Sequence, residues 1–433
     1  MTSTTSTISI IGMLFLSAQT GCSGDKNAEE ALVTLGNGCT ETAYEGSAIC
    51  EAWFYNTESS VSSVLREDGA GIVVNIASSD IRNEDGEDYL VISTSGIPDY
   101  AVTFEQSDID ALNARPNANT DFENGSTIAQ VGVTYNFGSD IGFKSNTNCD
   151  AGAGYGWWPP GPECPSNQYK EVFFPLNPTE ATADNSCETG LGSMGLFVNG
   201  VSIYNWTDGA SYNNASVWMN VAAQYEAYDL GLCRGHAANG DYHHHDLSTC
   251  LMDQMGETGS GHSDIYGVAA DGFPIHGPYV ENNALAQSCW VARNYNDAED
   301  PFGCGGSGER SCLMVDEYDP SLGTTDASSE GPRTNEIVTS MSGNDFVATS
   351  GFYKEDYYYD ADCSTQGLAY LDEHNGHDHD GFGFHYHITY TFPYFTGPTL
   401  YGAVAASSET SCDGVTVGGP GGGGPGGGGP GGQ

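Results

Sequence analysis

Two short segments carry the residues best suited to chemistry. The first runs Gly235-His236, then Gly240-Asp241-Tyr242-His243-His244-His245-Asp246. The second runs Asn375-Gly376-His377-Asp378-His379-Asp380-Gly381, then Gly383-Phe384-His385-Tyr386-His387. Each has a leading histidine, a glycine-containing turn, then an aromatic residue and His-x-His. On a β-strand, residues i and i+2 share a face. His243 and His245 would then stand side by side, as would His385 and His387, with His244 pointing away. Neutral imidazole is a common ligand of transition metals. A lone His-x-His on a surface strand is often only polar decoration. The recurrence of the unit, with all 11 histidines between His236 and His387, favours a metal site.

The candidate ligands are His236, His243, His245, His262, His385 and His387. The expected arrangement is two histidine strands meeting so that imidazoles far apart in the chain share one ion. One strand's pair completed by outside carboxylates is the alternative. His374 and His377 suit loops as well as ligation. His276, inside Gly272-Phe-Pro-Ile-His-Gly-Pro278, suits packing in a rigid turn equally well.

The cysteines narrow the metal. There are 13, and without Cys22 the remaining twelve are even in number and scattered, with no Cys-x-x-Cys pair. Such usage reads as a disulfide framework, with Cys39–Cys50 and Cys304–Cys312 as the short loops best placed to close. Oxidised cysteines cannot ligate, which leaves imidazole and carboxylate and points to copper or zinc. Oxygen-rich loops such as residues 372–380 offer calcium an alternative, although EF-hand spacing is absent.

Catalysis by such a site needs a nearby acid or base. Asp271 and Glu373 are the candidates, each in a motif beside the histidines. The plainer readings are an Asp-Gly turn residue and a solvated loop carboxylate. No nucleophile elbow, zincin helix or phosphate loop is present. Three functions therefore stand side by side: a metal-binding protein, a metal-dependent hydrolase or oxidoreductase, and a surface adhesion module rich in tyrosine.

The elements that must position these residues are mostly strands. Short strand-like runs fall at 71–76, 89–94, 100–104, 129–135, 171–174, 194–198 and 385–392, punctuated by Gly, Asn, Asp and Pro. Helices are predicted only at 219–230 or 281–294. The expected fold is mainly β: a single large sandwich or barrel-like domain, disulfide-stapled, with few short helices.

Charge and ends complete the outline. Acidic residues number 58 against 11 Lys and Arg, a net charge of −47. Nucleic acid and anionic membrane surfaces are excluded as electrostatic partners, whereas cations are attracted. A saline habitat explains the same acidity. Residues 1–22 resemble an export signal, with a short apolar run from Ile8 to Leu16 followed by small residues and then Gly21-Cys22. Cys22 would carry a lipid in a lipoprotein; plain secretion is the alternative, since no basic residue precedes the run. Either way the location is extracytoplasmic. Residues 23–37 suit an acidic polar tether, 38–412 the folded domain, and 413–433 a disordered Gly/Pro tail.

The histidine motifs resemble those of the YHYH-domain proteins, a family named for Tyr-His-Tyr-His. Ser95-Gly-Ile-Pro-Asp99, Met194-Gly-Leu-Phe-Val-Asn-Gly-Val-Ser-Ile203 and Asp271-Gly-Phe-Pro-Ile-His-Gly-Pro-Tyr279 are similar to further family elements, in the family's order. Leu371-Asp-Glu-His-Asn-Gly376 and residues 384–394 match the closing ones. His244, His276, Phe384 and His374 depart from the residues usual there. The resemblance implies a shared domain and little about its chemistry.

Overall fold

A computed structural model of the chain describes residues 37–40, 42–65, 69–143, 163–379, 381–405 and 410–415. The segments expected to form an export signal with Cys22 and a tether, up to residue 36, lie outside the described residues, as do Cys149, Asp380 and the expected tail beyond residue 415. All described residues belong to one unit spanning 35–433.

An Asp85-Gly86 turn, with positive φ at both residues, links β1 (Ile76–Glu84) to β2 (Glu87–Thr94). Such a two-residue turn suits the right-handed twist of the strands it joins. β2 also pairs antiparallel with β3 (Lys170–Pro175), giving a three-stranded sheet.

Eight further strands make the central sheet. In chain order they are β4 (Ser193–Phe197), β5 (Ser202–Tyr204), β6 (Gly235–Ala238), β7 (Asp241–His244), β8 (Ile265–Ala269), β9 (Pro274–His276), β10 (Gly376–Asp378) and β11 (Phe384–His387). Their order across the sheet is β6-β7-β5-β4-β8-β9-β11-β10. The pairs β7–β5 and β9–β11 are parallel and the others antiparallel. The fold is thus mainly β, and the sheet is open, with β6 and β10 as its edges, so it is not a closed barrel.

The three-stranded sheet covers the middle of one face. Leu90, Ile92, Val172 and Phe174 pack with Leu196 and Val268, and with Trp53 and the Cys39–Cys50 bridge. Burying each such aliphatic or aromatic side chain contributes roughly 1.5–3 kcal/mol. The opposite face, with Phe197, Ile203, Ala269, Ile275 and Tyr386, joins the largest core cluster.

Helices are few and short. Gln106–Asn113 and Thr249–Met255 are the longest among the described residues. The helix predicted at 219–230 is a strand, Met219–Val221, followed by a single turn, Ala222–Tyr225. The one predicted at 281–294 is replaced by Tyr279–Glu281 paired with Ala284–Leu285, and by Trp290–Ala292 paired with Tyr357–Tyr359. Asn283, with φ of 51°, makes the tight turn a helix would forbid. The strand predicted at 385–392 stops at His387, because Thr389 N–H turns back to the Tyr394 carbonyl at 2.7 Å.

Disulfides link Cys39–Cys50 and Cys304–Cys312, as the short loops suggested, and also Cys187–Cys412, Cys233–Cys250 and Cys289–Cys363. Between β9 and β10, the buried Arg310 guanidinium clasps Asp356 with both oxygens engaged, at 2.7 and 2.9 Å.

Candidate metal centres

Strand parity sorts the histidines as expected. On β7, His243 and the residue just beyond its end, His245, face one way. Tyr242 and His244 face the other, into the core. There His244 Nδ1 donates to the Arg234 carbonyl at 2.9 Å and its Nε2 meets the Tyr100 hydroxyl at 3.0 Å. On β11, His385 and His387 share a face while Tyr386 turns away. By register, His243 lies opposite Ser202, and Ser202 opposite Leu196. The first pair therefore projects from the face that carries the three-stranded sheet.

The two pairs do not meet. Four strands separate β7 from β11, and at about 4.8 Å per step this is roughly 24 Å. The single shared site is corrected to two separate clusters, because intervening strands β5, β4, β8 and β9 hold the histidine strands apart.

The first cluster is His236, His243 and His245, all fully or almost fully buried. β6 and β7 place His236 directly across from His243. The two Nε2 atoms of His243 and His245 are 3.1 Å apart. Glu226, just past the turn Ala222–Tyr225, brings Oε2 to 3.3 Å from His245 Nε2 and 3.5 Å from His236 Nε2. His243 Nδ1 donates to the Asp241 carbonyl at 2.9 Å, and His245 Nδ1 to the Asn205 carbonyl at 2.7 Å. Tyr204 stacks on His243 with ring centroids 3.7 Å apart.

The second cluster gathers His262, His379, His385 and His387, with one ligand atom of each within 4.8 Å of the others. His276 and His377 adjoin it, with rings 4.8 and 4.9 Å from His385. His385 Nδ1 donates to the Gly383 carbonyl at 2.8 Å and His387 Nδ1 to the Gly277 carbonyl at 2.7 Å. His262 and His276 both donate to the Ser263 carbonyl at 2.8 Å. His377 bonds the Leu368 backbone, leaving its buried Nε2 without a hydrogen-bond partner among the described residues. His262 and His385 bring their Nε2 atoms to 3.3 Å. Phe382, 55% exposed, lies flat over His262.

Burial holds the imidazoles neutral. It pushes His245 and His385 down to about 4, and His236, His243 and His387 well below the usual histidine value. Burial, reinforced by Asp208 and Asp229, pushes the Glu226 carboxyl well above its usual range. Neutral imidazoles whose Nδ1 atoms are fixed by carbonyls present Nε2 lone pairs, which is how proteins orient metal-ligating histidines.

The remaining candidates lie elsewhere. Asp271 is fully buried, accepting from the Tyr386 hydroxyl at 2.6 Å and from the amides of Gly402 and Phe273. Glu373 bonds the Tyr359 side chain. Neither belongs to a cluster. Asp372 Oδ1 accepts from the amides of His374 and Gly376 in its own turn, and His374 Nδ1 donates to the Thr399 carbonyl. His379 and the neighbouring Glu226 stand outside the candidate ligands read from the sequence, while His276 and His377, equally suited to turn or loop roles there, adjoin the second cluster. His377-x-His379 was a visible third His-x-His, whereas nothing local marks Glu226.

Comparison with curated proteins and with solved structures finds no match for either. A family model described as YHYH protein matches residues 171–400, which include every strand of the central sheet and both clusters. That span is more than half of the chain, and the chain belongs to the YHYH protein family.

Proposed function

We propose that the chain is an exported metal-binding protein whose histidine clusters hold divalent transition ions, zinc or copper. One observation carries the reading. In each cluster two Nε2 atoms face each other, at 3.1 and 3.3 Å, while both partners' Nδ1 protons already go to backbone carbonyls. Two opposed lone pairs repel unless a cation lies between them. Burial disfavours a proton there, and a metal ion meets the need.

The spacing suits tetrahedral coordination. Zinc–nitrogen bonds of about 2.05 Å give a tetrahedron an edge of about 3.3 Å. A square-planar copper(II) site has a shorter edge of about 2.9 Å. The 3.3 Å between His262 and His385 matches the tetrahedral edge, and the 3.1 Å between His243 and His245 lies between the two values. Export is supported by the disulfides, which persist in oxidising compartments. Mass spectrometry of the mature N-terminus decides between a lipid on Cys22 and plain secretion.

Elemental analysis of the purified chain tests the reading. Zinc or copper should be present in stoichiometric amount, and His385→Ala with His387→Ala should lower it. Absence of any bound transition ion after reconstitution overturns the proposal. A metal-dependent enzyme is the second reading, favoured by the partial exposure of His262 and His379. Asp271 and Glu373, the acid/base candidates of that reading, bond tyrosine side chains and lie outside both ligand groups.

A further inference from the structure

The central sheet repeats itself. Strands β4, β5, β6 and β7 and strands β8, β9, β10 and β11 follow the same plan. In each set the first two strands form a hairpin, the last two form a second hairpin, and the second strand runs parallel to the fourth.

The correspondence holds residue by residue. Gly195 pairs with Ile203, and Gly267 with Ile275. His244 lies beside Ile203, and Tyr386 beside Ile275. His236 lies across from His243, and His377 across from His385. Asn199-Gly200 and Asp271-Gly272 turn the first hairpins, with glycine φ of 83° and 88°. Arg234 and Asn375, each just before the Gly-His pair, have φ of 60° and 64°. Two of the three imidazole anchors correspond as well: His243 to the carbonyl two residues before it, as His385 does, and His245 to Asn205 O, as His387 to Gly277 O, whereas His377 bonds the Leu368 backbone and His236 Nδ1 has no hydrogen-bond partner among the described residues.

The seam between the sets is self-complementary. Leu196 pairs with Val268, flanked by Phe197 with Gly267 and Gly195 with Ala269. Val198 N–H bonds the Tyr266 carbonyl at 2.9 Å, and Ala270 N–H bonds the Met194 carbonyl at the same distance. A Cβ on Gly195 would lie 2.3 Å from the Val268 oxygen, and one on Gly267 2.7 Å from the Leu196 oxygen. These are relations of a twofold axis through the Leu196–Val268 pair.

We infer that the two sets are copies of one four-strand metal-binding unit, each holding its own ion, with His377 taking in the second the part His236 takes in the first, and that the first ion is locked while the second exchanges with solvent. The inference rests on the metal-binding reading above. The ring separations of the corresponding trios agree: 4.7, 5.7 and 4.8 Å among His236, His243 and His245, and 4.9, 5.0 and 5.0 Å among His377, His385 and His387. Around the shared trio the copies differ. The first is closed by Glu226, and its histidines are at most 3% exposed, so release of its ion requires local opening of the fold. The second is surrounded by His262 and His379, both part-exposed, so an incoming chelator can reach donors directly.

The test uses the full chain reconstituted with zinc, freed of excess metal, then mixed with EDTA while a colorimetric zinc dye follows release. Two equivalents should leave in two phases of equal size, with rates at least tenfold apart. His262→Gln with His377→Gln should abolish the fast phase and keep the slow one, whose persistence also shows that the variant folds. Glu226→Gln should accelerate only the slow phase. A single phase carrying both equivalents, a stoichiometry other than two, or loss of both phases in the His262/His377 variant overturns the inference while leaving metal binding in place. Uptake of no zinc and no copper overturns both readings.

Discussion

The two clusters sit on matching strands yet offer an ion different surroundings. The first presents three imidazoles in a buried site, with the Glu226 carboxyl 3.3 and 3.5 Å from two of them. The second presents imidazoles only, nearer to water, with Phe382 as a partial cover. The difference follows from electrostatics. A dication enclosed by neutral ligands in a low-dielectric interior keeps its full charge, which is costly. Glu226 offsets part of that charge where solvent cannot. In the second cluster the solvent does so, and no carboxylate of the described residues belongs to its four-ligand group. The shared strands supply the common ligands, and the connecting segments decide how each site behaves. Glu226 follows a helical turn, and His262 and His379 lie outside the strands.

Removing ligands from the closed site should have the largest effect. His243→Ala with His245→Ala should eliminate the ion proposed for that site and its contribution to folding, about 4 kcal/mol at a thousandfold excess of free metal over Kd. The same pair of changes at His385 and His387 should lower the thermal midpoint less, because His262, His379 and the adjoining His377 remain to hold an ion there; equal shifts would erase the distinction. Leu196→Ala, at the seam between the halves, should destabilise by about 2–5 kcal/mol in chemical denaturation. It should weaken both sites together, and an effect confined to one would show the halves to be independent of their seam.

Acid offers a third handle. Burial lowers the folded-state values of His245 and His385 to about 4, below the ordinary histidine value of about 6.5. Between those values the unfolded chain binds more protons than the folded one. These histidines therefore contribute stability to the metal-free protein that is fully present above about pH 6.5 and lost as pH falls toward 4, whereas buried Asp208 and Asp372, raised to about 7 and about 6, act in the opposite sense. The difference in urea midpoint between the parent and His385→Gln across that range checks this, and a pH-independent difference would contradict the burial of a neutral imidazole there. Phe382→Ala should have the smallest effect, a few-fold faster release from the second site with the slow phase unchanged.

Much of this was legible because it is local. Strand parity made His243 and His245 neighbours and turned His244 away. Short cysteine loops marked Cys39–Cys50 and Cys304–Cys312. The strand runs at 89–94, 171–174 and 194–198 formed as expected. What escaped is non-local. The sequence does not say which histidine strands adjoin, since β7 and β11 are separated by strands whose order depends on the whole sheet. Glu226 reaches His245 only through tertiary packing. Residues 281–294 follow strand pairing with residues 357–359 rather than helical propensity. The likeness of the two histidine segments was visible, but the likeness of their companion hairpins, with Asn199-Gly200 answering Asp271-Gly272, emerges only from register.

The Leu196–Val268 seam has a further meaning. Two separate identical chains meeting along such an edge would form an isologous dimer, and every change in one chain's site would appear in the other. Joined in a single polypeptide, the partners are released from that constraint. One can acquire a carboxylate and close, the other can collect extra imidazoles and stay open, and neither alteration is imposed on its counterpart.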